Sequence, residues 1–286
     1  MYPANFEYAR PSTVEEAIAL LGKYGDDAKV LAGGHSLIPA MKLRLARPKV
    51  VVDIGRIANL SYIRTDTHGR FAIGAMTTHA EIAASKLLKT KCPLLPETAA
   101  HIGDVQVRNK GTIGGSLVHA DPAADYPAAM LALNAEMELV GPKGKRVVRV
   151  ADFFVDLLQS AVGPDEILTE IRVPETSSAV AYIKTEQKAS GFALAGVAAV
   201  QSLAGFRIGV TGVAPKPYRA SAVEHVLAKH KSPKSEEIAQ ASMLAADGVH
   251  PLSDIHASAE YRAHLAQVNT RRAIEKALSR VVAPEK

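Results

Sequence analysis

The chain has 286 residues, 48% of them hydrophobic and 22% charged, with a formal net charge of +5. This is a globular composition long enough for two domains, and its dispersed positive charge argues against a nucleic-acid footprint. No apolar run reaches the roughly 18 residues that span a bilayer, and Met1-Tyr2-Pro3-Ala4-Asn5-Phe6-Glu7 has neither the basic start nor the apolar middle of a signal peptide, so a cytoplasmic protein is expected. Along the chain, the first element is a helix opened by a Ser12-to-Glu15 capping box, with Val14, Ala17, Ile18 and Leu21 on one face and Gly22 and Gly25 closing it. A strand follows over residues 28–32, then the turn Ala32-Gly33-Gly34-His35-Ser36, a short helix over 36–44 and a strand over 50–54. Residues 71–75 read as a strand, 79–85 and 94–102 as short helices, and Thr112-Ile113-Gly114-Gly115-Ser116 as a second glycine turn.

Asp121-Pro122 is expected to cap a helix running through Tyr126, Met130 and Leu133. Residues 136–140 and 145–150 then pair around a Gly141-to-Gly144 hairpin loop, residues 165–173 add a strand, and 174–178 form a linker. Beyond the linker, strands over 179–185, 192–201 and 206–213 give way to helices near 219–229, 235–247 and 258–281. In the last helix Tyr261, Leu265, Val268, Ile274, Ala277 and Val281 approximate one apolar stripe directed at a core.

The two glycine turns carry the chemistry. Glycine lets a backbone approach a ligand closely, and adjacent glycines can aim several N–H groups into one concavity that suits phosphate. Ser36, Thr112 and Ser116 add hydroxyls. Neither turn has the spacing of a Rossmann fingerprint or the Gly-Lys-Ser/Thr of a P-loop, so a nucleotide site here belongs to another fold. Cys92 is the only cysteine, which excludes an internal disulfide and places any thiolate-ligated iron–sulfur cluster on another chain. It is expected to be a buried, inert thiol, and the ten histidines show no ligand spacing, so no bound metal is expected.

The stretches Leu31 to Arg44 and Gln106 to Leu117, with Asp121-Pro122-Ala123-Ala124-Asp125 and Asp165-Glu166-Ile167-Leu168, resemble the FAD-binding medium subunit of the molybdenum hydroxylases, the xanthine dehydrogenase family. Among its branches the medium chains of aerobic carbon monoxide dehydrogenases are nearest. The resemblance implies an α+β fold: a two-subdomain FAD-binding domain of vanillyl-alcohol-oxidase (PCMH) type over 1–177, divided near residue 55, then a C-terminal domain over 178–286 with a three-stranded antiparallel sheet and a helical cluster. It also implies noncovalent FAD. The amides of Ala32, Gly33, Gly34, His35, Ser36 and Leu37 would hold its pyrophosphate, and Thr112, Gly114, Gly115 and Ser116 would face it from the other side. Asp125 would accept ribityl or ribose hydroxyls, with Asp121 better explained as a helix cap. Leu168 would touch the cofactor through its backbone, and Lys184 would lie near the isoalloxazine edge.

On that resemblance the chain is an oxidoreductase subunit whose only catalytic group is the flavin. A large molybdopterin subunit would oxidise the substrate, a small subunit with two iron–sulfur clusters would relay electrons, and FAD would pass them to an external acceptor, in a dimer of heterotrimers. Two other readings stay open at this point: a free-standing flavin oxidase, and a redox-inactive assembly subunit. The substrate, whether carbon monoxide, an aldehyde, an N-heterocycle or a purine, is set by a pocket on a partner.

Overall fold

Thr13 starts the first helix, one residue later than the expected Ser12 cap. Its hydroxyl accepts the Glu16 amide at 3.1 Å, while Ser12 donates from its amide and hydroxyl to the Glu16 carboxylate at 2.7 and 2.8 Å. The displaced box makes Glu16 the third helical residue and points Ala17, Ile18 and Leu21 of α1 (Val14–Tyr24) into a core. These details come from a computed structural model that describes residues 1–176, 179–202, 204–230 and 233–281. Two residues of the expected linker, 177 and 178, and the end of the expected C-terminal domain, 282–286, lie outside them.

The first layer is a small parallel sheet of order β1-β3-β2, made of β1 (Glu7–Ala9), β2 (Ala28–Leu31) and β3 (Val50–Asp53). The consecutive parallel neighbours β2 and β3 need a crossover, which α2 (Leu37–Lys42) supplies after the first glycine turn, while α1 carries the chain from β1 to β2 on the far side of β3. Strand β1 is not among the expected elements, because three residues with a mostly exposed pattern leave no periodicity to read.

The second unit is built on a five-stranded antiparallel sheet ordered β4-β5-β10-β6-β7. Its strands are β4 (Ile63–Thr65), β5 (Phe71–Gly74), β6 (Glu136–Gly141), β7 (Gly144–Arg149) and β10 (Ile167–Val173). Between β5 and β6 lie α3 (His79–Ala84), α4 (Lys86–Lys91), α5 (Leu94–Ala100), α6 (Val105–Lys110), α7 (Ile113–His119) and α8 (Tyr126–Leu133). The short helix α9 (Val150–Phe153) and the β8–β9 hairpin (Phe154–Asp156, Gln159–Ser160) complete the unit. Every residue of α8 is buried, which explains why it shows no amphipathic face: it is enclosed from all sides.

The C-terminal unit holds β11 (Val180–Glu186), β12 (Ala193–Ser202), β13 (Gly205–Thr211) and a two-residue β14 (Tyr218–Arg219), in that order across one antiparallel sheet. The expected three strands are thus four. Helices α10 (Ser221–Leu227), α11 (Ser235–Ser242) and α12 (Ala259–Ser279) cover one face. Because strand side chains alternate, β12 sends Ala195, Val197 and Ala199 into the core shared with α12, and Ala198 and Val200 into the core shared with α8. Gly209 permits the second contact, since a Cβ there would stand 2.1 Å from the Ala128 carbonyl oxygen of α8. Across the same boundary Glu97 of α5 pairs with Lys276 of α12 at 2.7 Å.

The expected stripe on α12 is rotated. Tyr261 and Val281 are about half exposed, while Arg262 and Asn269 are buried with Leu265, Ala266, Ala273, Ile274 and Ala277. Polar burial is possible because each finds backbone partners: Arg262 donates to the carbonyls of Leu194 and Gly212 at 2.9 and 2.6 Å, and Asn269 to that of Ala195 at 3.0 Å.

Candidate functional site

Strand β2 ends where the chain turns through Ala32, Gly33 and Gly34, and Gly34 has φ +78°, a region that suits glycine. Beyond the turn the Gly34 carbonyl accepts the Ile38 amide at 3.1 Å and starts α2. The amides of Gly33, Gly34, His35, Ser36 and Leu37 have no acceptor among the described residues. Five successive unpartnered donors on a half-exposed turn are what an anion cradle requires.

The second glycine motif is a helix start and not a turn. Thr112 caps α7, its hydroxyl accepting the Gly115 amide at 3.1 Å. The Ile113 and Gly114 amides are bound to the carbonyls of Thr77 and Ala75 at 3.0 and 2.8 Å, and that of Ser116 to Thr112 at 3.0 Å. A second backbone nest is therefore corrected: these amides already have partners. The glycines serve close approach instead, for a Cβ on Gly114 would stand 2.5 Å from the Ala75 Cβ. What α7 turns toward the first motif is the half-buried Gly115, and the adjacent Ser116 is also half-buried.

The two motifs do come together. A Cβ on Gly33 would lie 2.2 Å from the Lys110 carbonyl oxygen and 2.8 Å from the Gly111 Cα, and one on Gly115 would lie 3.5 Å from the Ala32 Cβ. Leu168 is buried on β10 opposite Leu139, and just after it the register slips, letting the Thr169 carbonyl accept the Ala75 amide at 3.0 Å.

Asp125 and Lys184 meet each other in the interior. The ammonium lies 3.0 and 3.1 Å from the two carboxylate oxygens and donates to the His101 carbonyl at 2.8 Å, while the Tyr182 hydroxyl donates to Asp125 at 2.6 Å. The Lys184 side chain is 1% exposed. Burial pushes the Asp125 carboxyl up to about 6, against the opposing pull of Lys184 and Tyr182. Asp121 does not cap a helix: its carboxylate accepts the Ala123 amide at 2.8 Å in a local turn, and α8 begins at Tyr126.

Sequence reading missed several residues of this region. His79 lies under Gly111, which has no side chain to keep it away, and its ring sits 5.4 Å from that of Tyr126. Burial drives the His79 imidazole down to about 4. The Thr78-to-Glu81 capping box that opens α3 was legible and would have fixed the position of His79. Tyr182 stands two residues from Lys184 on one strand face, a period-2 signal. Phe192, 56% exposed, follows Gly191, whose φ is +72° and whose added Cβ would reach to 4.0 Å from Gly103.

Two family profiles cover most of the chain. "FAD binding domain in molybdopterin dehydrogenase" matches residues 4–176 and "CO dehydrogenase flavoprotein C-terminal domain" matches 180–277. The chain belongs to the FAD-binding medium chains of the carbon monoxide dehydrogenase and xanthine dehydrogenase family. It is thus the flavoprotein subunit of an oxidoreductase of molybdenum hydroxylase type. It is 41% identical to the carbon monoxide dehydrogenase medium chain of Afipia carboxidovorans, over 98% of this chain and 99% of that one. Identity to the 6-hydroxypseudooxynicotine dehydrogenase complex subunit alpha of Paenarthrobacter nicotinovorans is 36%, over 98% and 97%. The solved carbon monoxide dehydrogenase of Hydrogenophaga pseudoflava, in a form lacking the Mo-pyranopterin moiety of its cofactor, superposes with a TM-score of 0.94 at 40% identity, covering 99% of this chain and 100% of that one.

The cofactor of this medium-chain family suits the residues present. A pyrophosphate requires several free donors on a closely approachable backbone, and the unpartnered amides of Gly33 to Leu37, which begin with two glycines, fit that requirement. Among the described residues no helix is long and apolar enough to cross a membrane, and no cluster of three or more His, Cys, Asp or Glu is placed to hold a metal.

Proposed function

We propose that this chain holds FAD noncovalently and serves as the electron outlet of a cytoplasmic molybdenum hydroxylase. Electrons would arrive from two iron–sulfur clusters on a small subunit, after oxidation of the substrate on a large molybdopterin subunit, and leave to an external acceptor. The complex would be a dimer of heterotrimers. The observation that carries this reading is the cradle of free amides from Gly33 to Leu37, braced against Lys110 and Gly111.

When bound, FAD supplies the two-electron carrier that side chains lack. The chain's own residues bind and orient it. The amides of Ala32 to Leu37 neutralise pyrophosphate charge, and His35 and Ser36, both exposed, stand beside it. Thr112, Gly114, Gly115 and Ser116 wall the opposite side, where a bare backbone leaves room and Ser116 offers its hydroxyl. Leu168 closes the floor through its main chain. Asp125 and Lys184 act as a pair: with both side chains below the surface, they provide a fixed, oriented charge beneath the flavin end, and the carboxylate is held by Lys184 and Tyr182. Phe192 at the rim offers an exposed aromatic face of the kind that stacks on a flat heterocycle.

The substrates named for the relatives differ, from carbon monoxide to 6-hydroxypseudooxynicotine, although these relatives match this chain over nearly their whole length. That pattern supports placing substrate choice on a partner.

The test is flavin content. The chain is expressed alone and with candidate partners, desalted, and its visible spectrum recorded before and after acid precipitation. Flavin in the acid supernatant is the expected result. A colourless protein that cannot be reconstituted with FAD in either preparation overturns the reading.

A further inference from the structure

At the end of the five-stranded sheet remote from the glycine turns, a cleft of ≈ 270 Å³ opens between that sheet and the C-terminal unit. Arg70, Arg172 and Arg207 line it together with Asn134, Leu133 and Pro174, and Glu136 forms part of one wall. Arg70 precedes β5 and Ala75 follows it, so the cleft and the glycine turns are separated by about 17 Å along this strand, at ~3.3 Å per residue.

The arginines are not equivalent. Arg70 is held by Asp66 and Glu136 at 3.0 and 2.7 Å, and Arg172 by Glu170 at 2.6 Å and by Glu138. Arg207 has no carboxylate. Its Nε donates to the Ala132 carbonyl at 2.7 Å, and neither terminal nitrogen has an acceptor among the described residues. It is half-buried, and burial together with the positive charge of Arg219 lowers its pKa below the usual arginine value. Arg219 is itself forked onto Glu224 and donates to the Asn134 side-chain oxygen at 3.0 Å, which leaves the Asn134 amide nitrogen as a further free donor. The neighbouring guanidinium groups are each answered by carboxylates, whereas Arg207 has none in direct contact, and a half-buried charge left so is costly unless an anion answers it.

We propose that this cleft binds a phosphate monoester, with the phosphoryl group on Arg207, Arg172 and Asn134 and the organic part against the half-buried Pro174. Glu136 is turned to Arg70, which it holds at 2.7 Å, and not to Arg207. Phosphate suits the site better than a carboxylate because its three terminal oxygens can take up the free terminal nitrogens of Arg207 together with the Asn134 amide nitrogen, where a carboxylate offers two.

The test uses the full-length chain in a phosphate-free buffer with saturating FAD, which occupies the cradle of the first glycine turn, titrated calorimetrically with inorganic phosphate and with phenyl phosphate. One saturable site is expected, tighter for phenyl phosphate, and both affinities should fall about tenfold or more in Arg207→Gln. Because that variant also alters the contact with Ala132, a second measurement uses the unaltered chain: modification by phenylglyoxal, read by mass spectrometry, should slow at Arg207 when phosphate is present. Absence of saturable binding, undiminished affinity in Arg207→Gln, or an unprotected Arg207 would each overturn the proposal. Flavin content is read separately, so its loss or retention leaves this result intact.

Discussion

Gly33 of the first glycine turn rests on the carbonyl of Lys110, so close that a Cβ would stand 2.2 Å from the oxygen. The obstacle is backbone, which cannot rotate away. Gly33→Ala should therefore force the two motifs apart and reduce FAD affinity at least about tenfold, while costing only ~1–3 kcal/mol of stability as an overpacking change. Fluorescence titration of apoprotein with FAD measures the first effect and denaturant unfolding the second. Gly22→Ala is the reference: nothing lies within 4 Å of its added Cβ, and inside helix α1 it should stabilise by about 0.5–1 kcal/mol without moving FAD affinity. Equal FAD binding by both variants would remove Gly33 from the site.

Arg262 sits in the core facing the sheet, where sequence periodicity had placed only apolar residues. Its Nη1 alone meets the carbonyls of Leu194 and Gly212. Arg262→Met fills much of the space but leaves both carbonyls without that donor, each costing ~1–3 kcal/mol when buried. A loss of about 2–4 kcal/mol is expected in urea unfolding, with lower protease resistance in β12 and α12 than elsewhere. A neutral substitution would mean that water replaces the guanidinium.

How far the sequence could be read follows from which interactions are local. Strands β5, β6, β7 and β10 were legible because turn residues bound alternating apolar runs, and α1 was legible to within one residue because its cap lies in the same short segment. Strand β1 exists only through its register with Val50 to Val52, a long-range pairing with no local trace. The glycines of α7 looked like a turn because glycine disfavours helices; Thr112 capping and contact with Ala75 override that propensity. At the site, the residue types in the first turn announced themselves, whereas the joining of Asp125 to Lys184 across 59 positions did not. The stripe on α12 was misplaced for a related reason: Arg262 and Asn269 count as polar in any periodicity, yet each is buried because backbone acceptors wait for it.

His79 and Asp125 should tilt the pH dependence of stability in opposite directions. The imidazole is held down to about 4 in the fold, so its contribution is full above the ordinary histidine pKa of 6.5 and declines as pH falls toward 4. The Asp125 carboxyl is held up to about 6, so its contribution is full below the ordinary 3.8 and declines as pH rises toward 6. Relative to the unaltered chain, His79→Gln should lose less stability on acidification across pH 6.5 to 4, and Asp125→Asn should lose more. Urea midpoints at half-unit pH intervals read both differences, and parallel curves for all three proteins would contradict these assignments.

Lys184 offers the sharpest test of the interior pair. Lys184→Met keeps the length of the side chain and removes the charge, leaving Asp125 buried with only the Tyr182 hydroxyl. Breaking such a pair from one side costs about 3–5 kcal/mol. The loss should be pH-dependent with a defined sign: without Lys184 the carboxyl titrates higher still, so below that raised pKa it is protonated and the penalty shrinks. Stability of Lys184→Met should therefore approach that of the unaltered chain at pH 5 and fall furthest behind at pH 8. Adding Asp125→Asn removes the buried charge and should recover most of the deficit at pH 8, because an amide oxygen still accepts from Tyr182. If the single variant lags equally at both pH values, the ammonium acts through packing and its bond to His101 instead of through Asp125. FAD affinity measured on the same proteins tests the role proposed for the pair: the double variant should refold well yet bind FAD more weakly, because the charge proposed to lie beneath the flavin is removed.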